Sequence, residues 1–292
     1  MSVTSPTAGD AQASLSPSRA ADFMQCPLLY RFRVVDRLPE PPSPAAVRGT
    51  VVHSVLERLF DLPAAERTVG AARALVEPQW EQLRAGDPEL EAMFTDGEEL
   101  ATWLAEAGEL VERYFALEDP TRLEPAEREL YVSTELDGGL VLRGYVDRLD
   151  VAPTGEVRVV DYKTGRAPSE LFVAKALFQM KFYALVLWRT RGVVPRVLQL
   201  VYLGSGEVVR YSPQEHELRA TERKVRALWE AIRTAAGTGD WRASPSRLCD
   251  WCHHQALCPA FGGTPPLPPA DAVARAGGAE AGRVPAPGRD ET

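Results

Sequence analysis

Residues 140–165 read LVLRGYVDRLDVAPTGEVRVVDYKTG. Two runs rich in Val and Leu, 140–151 and 156–165, flank Ala152-Pro153-Thr154-Gly155, whose proline and glycine mark a turn, so the stretch predicts a β-hairpin. Side chains alternate faces along a strand, which puts Asp161 and Lys163 on one side and turns Tyr162 to the other, with its carbonyl expected near Asp147. Two carboxylates and one ammonium then converge. Hard oxygen donors of this kind suit Mg²⁺ or Mn²⁺, ions that orient a water, lower its pKa and neutralise charge building on a phosphoryl group. Spacing alone leaves a second reading open, a surface hairpin whose Asp and Lys residues merely solvate one face.

Two helical stretches extend the set. Residues 48–60, RGTVVHSVLERLF, place Val52, Val55, Leu56 and Leu59 at helical spacing and leave His53 and Glu57 together on another face. His53 is a candidate third metal ligand because of the company it keeps, since a lone helical histidine is more often structural or solvated. In residues 178–184, FQMKFYA, Gln179 and Tyr183 stand four apart on a strongly apolar helical stretch, where their common face meets substrate or joins the core.

In chain order, Gly49-x-x-x-His53, Gly144-x-x-Asp147, Asp161-x-Lys163 and Gln179-x-x-x-Tyr183 resemble the RecB-like exonuclease branch of the PD-(D/E)XK nuclease superfamily, over residues 15 to 260 or so. Val146 stands where the superfamily's proline would precede Asp147. The resemblance implies a restriction-endonuclease-like α/β core, a central mixed sheet flanked by helices. It implies that His53, Asp147 and Asp161, helped by the Tyr162 carbonyl, bind the divalent metal, and that Lys163 positions or activates the attacking water. Gln179 and Tyr183 would support the site and contact substrate, so their loss would weaken activity more than abolish it.

The four cysteines form one pattern, a solitary Cys26 and a C-terminal Cys249-x2-Cys252-x5-Cys258, with Cys26 and Cys258 each followed by proline. Four thiolates suit an iron–sulfur cluster or structural zinc. Similarity to RecB-like and CRISPR-associated exonucleases implies a [4Fe-4S] cluster with a structural role, zinc being the alternative. His253 and His254 are expected to be solvated, and Trp241 and Trp251 to pack around the cluster. There is no basic segment followed by an apolar one at the N-terminus and no apolar run near the ~18 residues a membrane helix needs, so a reduced cytoplasmic setting is expected.

One large domain over residues 15–260 is expected, with disordered tails at 1–14 and 261–292, the latter dominated by Pro, Ala and Gly. Ser16-Pro17 reads as a helix start. Helices are expected near 45–60, 64–84, 97–117, 169–190 and 213–236, the first three forming a helical insertion before the sheet. Strands are expected near 128–135, 140–151, 156–163, 195–203 and 207–211. Neither G-x-x-x-x-G-K-[ST] nor G-x-G-x-x-G occurs, which disfavours nucleotide-hydrolysing and dinucleotide-binding folds.

The net charge of −8 runs against nucleic-acid binding, but its distribution is uneven. Residues 57–150 carry 9 basic and 23 acidic side chains, residues 161–258 carry 15 and 9. Arg166, Lys175, Lys181, Arg189, Arg191 and the 219–226 helix are therefore the expected DNA track. The resulting expectation is a metal-dependent exonuclease acting on single-stranded DNA in repair or recombination, with a separate helicase or CRISPR adaptation proteins as partners and no membrane. The alternatives are a non-catalytic nucleic-acid- or partner-binding subunit of a helicase–nuclease assembly, and a structure-specific endonuclease.

Overall fold

The computed structural model describes residues 13–167 and 170–277, with the side chains of 170–175 outside the described set. A short strand β1 (Ser14–Leu15) leads into α1 (Pro17–Gln25) and α2 (Pro27–Tyr30), which continues as a π-helical turn, Arg31–Val35. Four helices follow, α3 (Pro44–Leu59), α4 (Val69–Ala74), α5 (Val76–Gly86) and α6 (Gly97–Leu117). Next come β2 (Glu127–Leu136), β3 (Leu140–Val151), β4 (Val157–Lys163) and α7 (Glu170–Arg191). The chain then forms β5 (Val197–Tyr202), β6 (Glu207–Tyr211), α8 (Glu215–Thr238) and α9 (Ala272–Ala276).

Local chemistry accounts for most boundaries. Ser16 caps α1 by accepting the Arg19 N–H at 3.3 Å, with Pro17 in the first turn where its missing donor costs nothing. Asp96 starts α6 by accepting the Glu98 and Glu99 N–H groups, both at 2.9 Å. The single helix expected over 64–84 is instead two, α4 and α5, meeting at Leu75. Pro78 explains the break, because it has no N–H for the Ala74 carbonyl and its ring clashes there, so a continuous helix cannot pass.

The chain divides into two compact units. The larger comprises Glu40–Val132 and Gly144–Glu222. Its mixed sheet sets β3 antiparallel to β4, with Arg148 opposite Val160, and β4 parallel to β5, with Asp161 opposite Leu200 and Lys163 opposite Tyr202; β6 is antiparallel to β5. A parallel pair cannot be closed by a tight turn, and α7 supplies the crossover. On one face Val160, Tyr162, Val201 and Leu203 bury against Val52, Val55 and Leu56 of α3 and Val111 and Tyr114 of α6. On the other, Lys163 reaches Gln179 of α7. Helices thus cover both faces of a mixed sheet, the α/β class expected.

Gly204 fixes how the strand ends meet. A Cβ there would lie 2.6 Å from backbone atoms of Thr164 and Gly165, and the Gly204 N–H donates to the Gly165 carbonyl at 3.1 Å. Only a residue without a side chain lets the loop after β5 lie directly on the loop that follows Lys163.

The smaller unit comprises the chain up to Pro39, Ser133–Arg143 and the chain from Arg223. Ser14 and Leu15 pair in parallel with Val141 and Leu142. The described part of the expected C-terminal tail is held: Tyr30 donates its hydroxyl to the Ala276 carbonyl at 2.6 Å, and the Ser14 N–H donates to the Gly277 carbonyl at 2.6 Å. Backbone carbonyls do the anchoring, which a composition rich in Pro, Ala and Gly does not register. Residues 1–12 and 278–292 of the expected tails, and the Lys175 side chain, lie outside the described residues. Among the described residues no helix is long and apolar enough to cross a membrane.

Candidate active site

Four elements of the larger unit bring polar side chains to one place. Val52, Val55 and Leu56 of α3 are fully buried, which holds the helix on the sheet and aims His53 at the β3–β4 pair. There His53 Nε2 lies 2.9 Å from the Tyr162 carbonyl and Nδ1 lies 3.5 Å from Asp147 Oδ2. The Tyr162 carbonyl was expected near Asp147. The Tyr162 N–H donates to Asp147 Oδ2 at 2.7 Å, and the carbonyl of the same residue meets the histidine. The backbone of one residue, through the peptides on either side of it, therefore fixes both side chains.

Glu129 of β2 completes the cluster, and it was not among the residues singled out from the sequence. One ligand atom from each of His53, Glu129 and Asp147 lies within 4.8 Å of the others. Glu129 has φ 44°, a left-handed conformation that costs a non-glycine residue stabilising energy. The neighbouring Arg128 holds the strand there, donating to the Glu57 carbonyl and to Asp61 Oδ1, the latter at 2.7 Å. Glu129 was legible in one respect: it lies as far before Leu136 as Asp147 lies after Leu140, across a turn of Asp137-Gly138-Gly139.

Asp161 is not part of that tight triad. Its Oδ2 pairs with Lys163 Nζ at 2.6 Å and its Oδ1 accepts from Gln179 Nε2 at 3.1 Å. Gln179 also accepts from Lys163 Nζ at 3.0 Å and donates to the Tyr183 hydroxyl at 3.1 Å. Gln179 is thus a clamp on the Asp161–Lys163 pair, and Tyr183, 6 % exposed, braces the clamp.

Electrostatics favour a cation here. Burial, then the Asp147 charge, raises Glu129 to about 7, and the same two causes in the same order raise Asp161. Burial pushes His53 down, but the carboxylates of Asp147, Asp161 and Glu129 outweigh it and hold the imidazole protonated above its ordinary value. Burial likewise lowers Lys163, and Asp161 more than offsets this, so the amine stays an ammonium at neutral pH. The donor set of one imidazole and crowded carboxylates fits a divalent metal, which would replace the imidazolium proton and relieve the crowding.

Residues 14–259 match the PD-(D/E)XK nuclease superfamily. The chain belongs to that superfamily. Among similar proteins, the Gene 69 protein of Mycobacterium phage D29 is 27 % identical over 274 residues, covering 84 % of this chain and 96 % of the phage protein. The Gene 69 protein of Mycobacterium phage L5 is 24 % identical over 287 residues, with coverage of 84 % and 96 %. A solved structure of a candidate exonuclease from Eubacterium rectale superposes with a TM-score of 0.57 at 17 % identity, covering 87 % of this chain and 93 % of that one, a likeness of fold.

On the sheet face opposite Asp161 and Lys163 lies a buried polar network that sequence reasoning missed. Arg148, 1 % exposed, grips both carboxylate oxygens of Glu118 at 2.8 and 3.0 Å and donates to the Tyr162 hydroxyl at 2.6 Å and the Tyr114 hydroxyl at 3.2 Å. Glu118 in turn accepts from Gln199 of β5 at 2.8 Å. The network ties α6, β3, β4 and β5 together on the sheet face opposite Lys163. An arginine next to a motif aspartate carries no sign in the sequence that it points inward.

Part of the basic track expected along the nuclease is paired with neighbouring acids. Lys181 pairs with Glu217 at 2.9 Å, Arg189 pairs with Glu222, and Arg219 bonds Glu215 at 3.0 Å. Arg226 donates to the Asp137 carbonyl at 2.7 Å. Counting charges by segment could not reveal this, because helical spacing and cross-element packing put acids against these cations.

In the smaller unit Cys26, Cys249, Cys252 and Cys258 line one cavity together with Leu28, Leu29 and Phe32. The Ser244 N–H donates to Cys26 Sγ at 3.4 Å and the Ser246 N–H to Cys249 Sγ at 3.3 Å. His254 departs from its expected solvation: it is 4 % exposed, its ring edge-on to Phe32 at 5.3 Å. The two tryptophans also divide, Trp241 buried and stacked on Tyr30 at 6.0 Å, Trp251 73 % exposed rather than packed.

Proposed function

We propose that this chain is a Mg²⁺- or Mn²⁺-dependent deoxyribonuclease of the RecB-like exonuclease kind, digesting single-stranded DNA in repair or recombination. The observation that carries the reading is the meeting of His53, Glu129 and Asp147 beside the Asp161–Lys163 pair. His53, Glu129 and Asp147 would hold the ion, with Asp161 and the Tyr162 carbonyl adjoining. When bound, the ion supplies Lewis acidity and lowers the pKa of water.

The chain's own residues do the rest. Lys163, held as an ammonium, cannot take a proton from water; it serves as a fixed positive charge for a phosphate oxygen. Gln179 keeps that charge in place through its bond to Nζ, and Tyr183 keeps Gln179 in place. His53 aligns Asp147 while the Tyr162 backbone aligns both.

Linear and circular single strands, incubated separately with Mg²⁺ or Mn²⁺, test the assignment. Digestion of the linear strand with the circle left intact is expected. Cutting of circles would replace it with the endonuclease reading, and binding without cutting with the non-catalytic one.

The four cysteines are read as holding a [4Fe-4S] cluster that ties the two ends of the smaller unit. Support comes from their sharing one cavity with apolar walls. Anaerobically purified protein should be brown, with a broad absorption band in the blue; a colourless, zinc-containing preparation would remove the cluster and leave zinc. Partnership with a helicase or with CRISPR adaptation proteins is part of the same reading and rests on motif resemblance.

A further inference from the structure

We infer that Tyr131 and Tyr145 form a stacking platform for an unpaired nucleobase next to the metal centre, so that single strands are held by their bases as well as their phosphates. Tyr131 is 50 % exposed and Tyr145 57 %. Among the described Phe, Tyr and Trp residues of the larger unit they are the exposed ones, the others being buried or half-buried. Their ring centroids lie 5.3 Å apart at 57°, so the rings are tilted rather than stacked on each other, and each keeps a face for a third plane.

Position supplies the occupant. Tyr145 stands two residues before Asp147 on β3, hence on the same face of the sheet, and Tyr131 stands two residues after Glu129 on β2. The carboxylates of Glu129 and Asp147 meet at one level and the two phenols meet at the next, ~7 Å further along the strands. A polynucleotide whose phosphate sits at the carboxylates would bring a neighbouring base over the rings. Every base has a π-face, so such a platform tolerates any sequence and rejects paired bases, whose faces are already stacked.

This inference rests on the nuclease reading for the direction in which the strand lies, and its test is therefore equilibrium binding rather than cleavage. Intact protein in Ca²⁺ is titrated into a fluorescent single-stranded oligonucleotide carrying 2-aminopurine at successive positions. Quenching confined to one or two positions is expected. The Tyr131→Ala/Tyr145→Ala double variant should bind about tenfold or more weakly and lose that quenching. Tyr131→Phe/Tyr145→Phe should retain both, since stacking needs the ring and not the hydroxyl. The proposal is overturned by unaltered affinity and quenching in the alanine variant, by equal losses in the phenylalanine variant, or by a wild type that binds no single strand. A wild type that binds and quenches yet digests nothing would sink the nuclease reading and leave the platform standing.

Discussion

Lys163→Ala and Asp147→Asn should each slow metal-dependent DNA digestion by ~10²–10³-fold or more while the protein stays folded. The two variants fail for different reasons. Lys163 donates a charge whose position is fixed by Asp161 at 2.6 Å and Gln179 at 3.0 Å; alanine leaves no charge there and releases both partners. Asparagine at 147 keeps the shape of the side chain but removes one of the carboxylates that meet His53 and Glu129. Metal affinity should therefore fall in Asp147→Asn, whereas in Lys163→Ala the metal should still bind and the rate at saturating metal should carry the loss. Digestion rates at saturating Mn²⁺, with metal titrations and thermal midpoints on the same samples, separate these outcomes. Wild-type rates in either variant would remove the centre from catalysis.

Arg148→Ala should destabilise the protein by about 3–5 kcal/mol, the usual cost of breaking a buried ion pair from one side. The side chain is 1 % exposed and Glu118 beside it is 7 % exposed in its side chain, so alanine leaves a carboxylate buried with only Gln199 as donor. Two tyrosine hydroxyls lose a donor as well. Adding Glu118→Gln should recover part of the loss, since a neutral amide is less costly to bury unpaired, and the double variant should then lie above the sum of the singles. Urea denaturation midpoints measure this directly. A cost near zero would mean that the network does not hold β3 to β4.

The parts of the candidate site legible in the sequence were those written in local periodicity. Alternation along 156–163 put Asp161 and Lys163 on one face, and the 3.6-residue repeat put Gln179 beside Tyr183, as found in their hydrogen bonds. Glu129 stands across the hairpin turn from Asp147, but its place in the cluster was hidden because it also depends on a left-handed backbone that an Arg128 anchor maintains. The pairing of some cations of the basic track was hidden for a similar reason: Lys181 meets Glu217 only once α7 and α8 are packed.

By itself the sequence determined the order of helices and strands, the mixed α/β class and the chemical types brought by each motif, because caps, prolines and apolar repeats act over a few residues. Tertiary structure alone decided which carboxylates share a site, which cations are already paired and that Arg148 points inward. Those outcomes depend on distances between segments far apart in the chain, and low-dielectric burial then sets what each charge is worth.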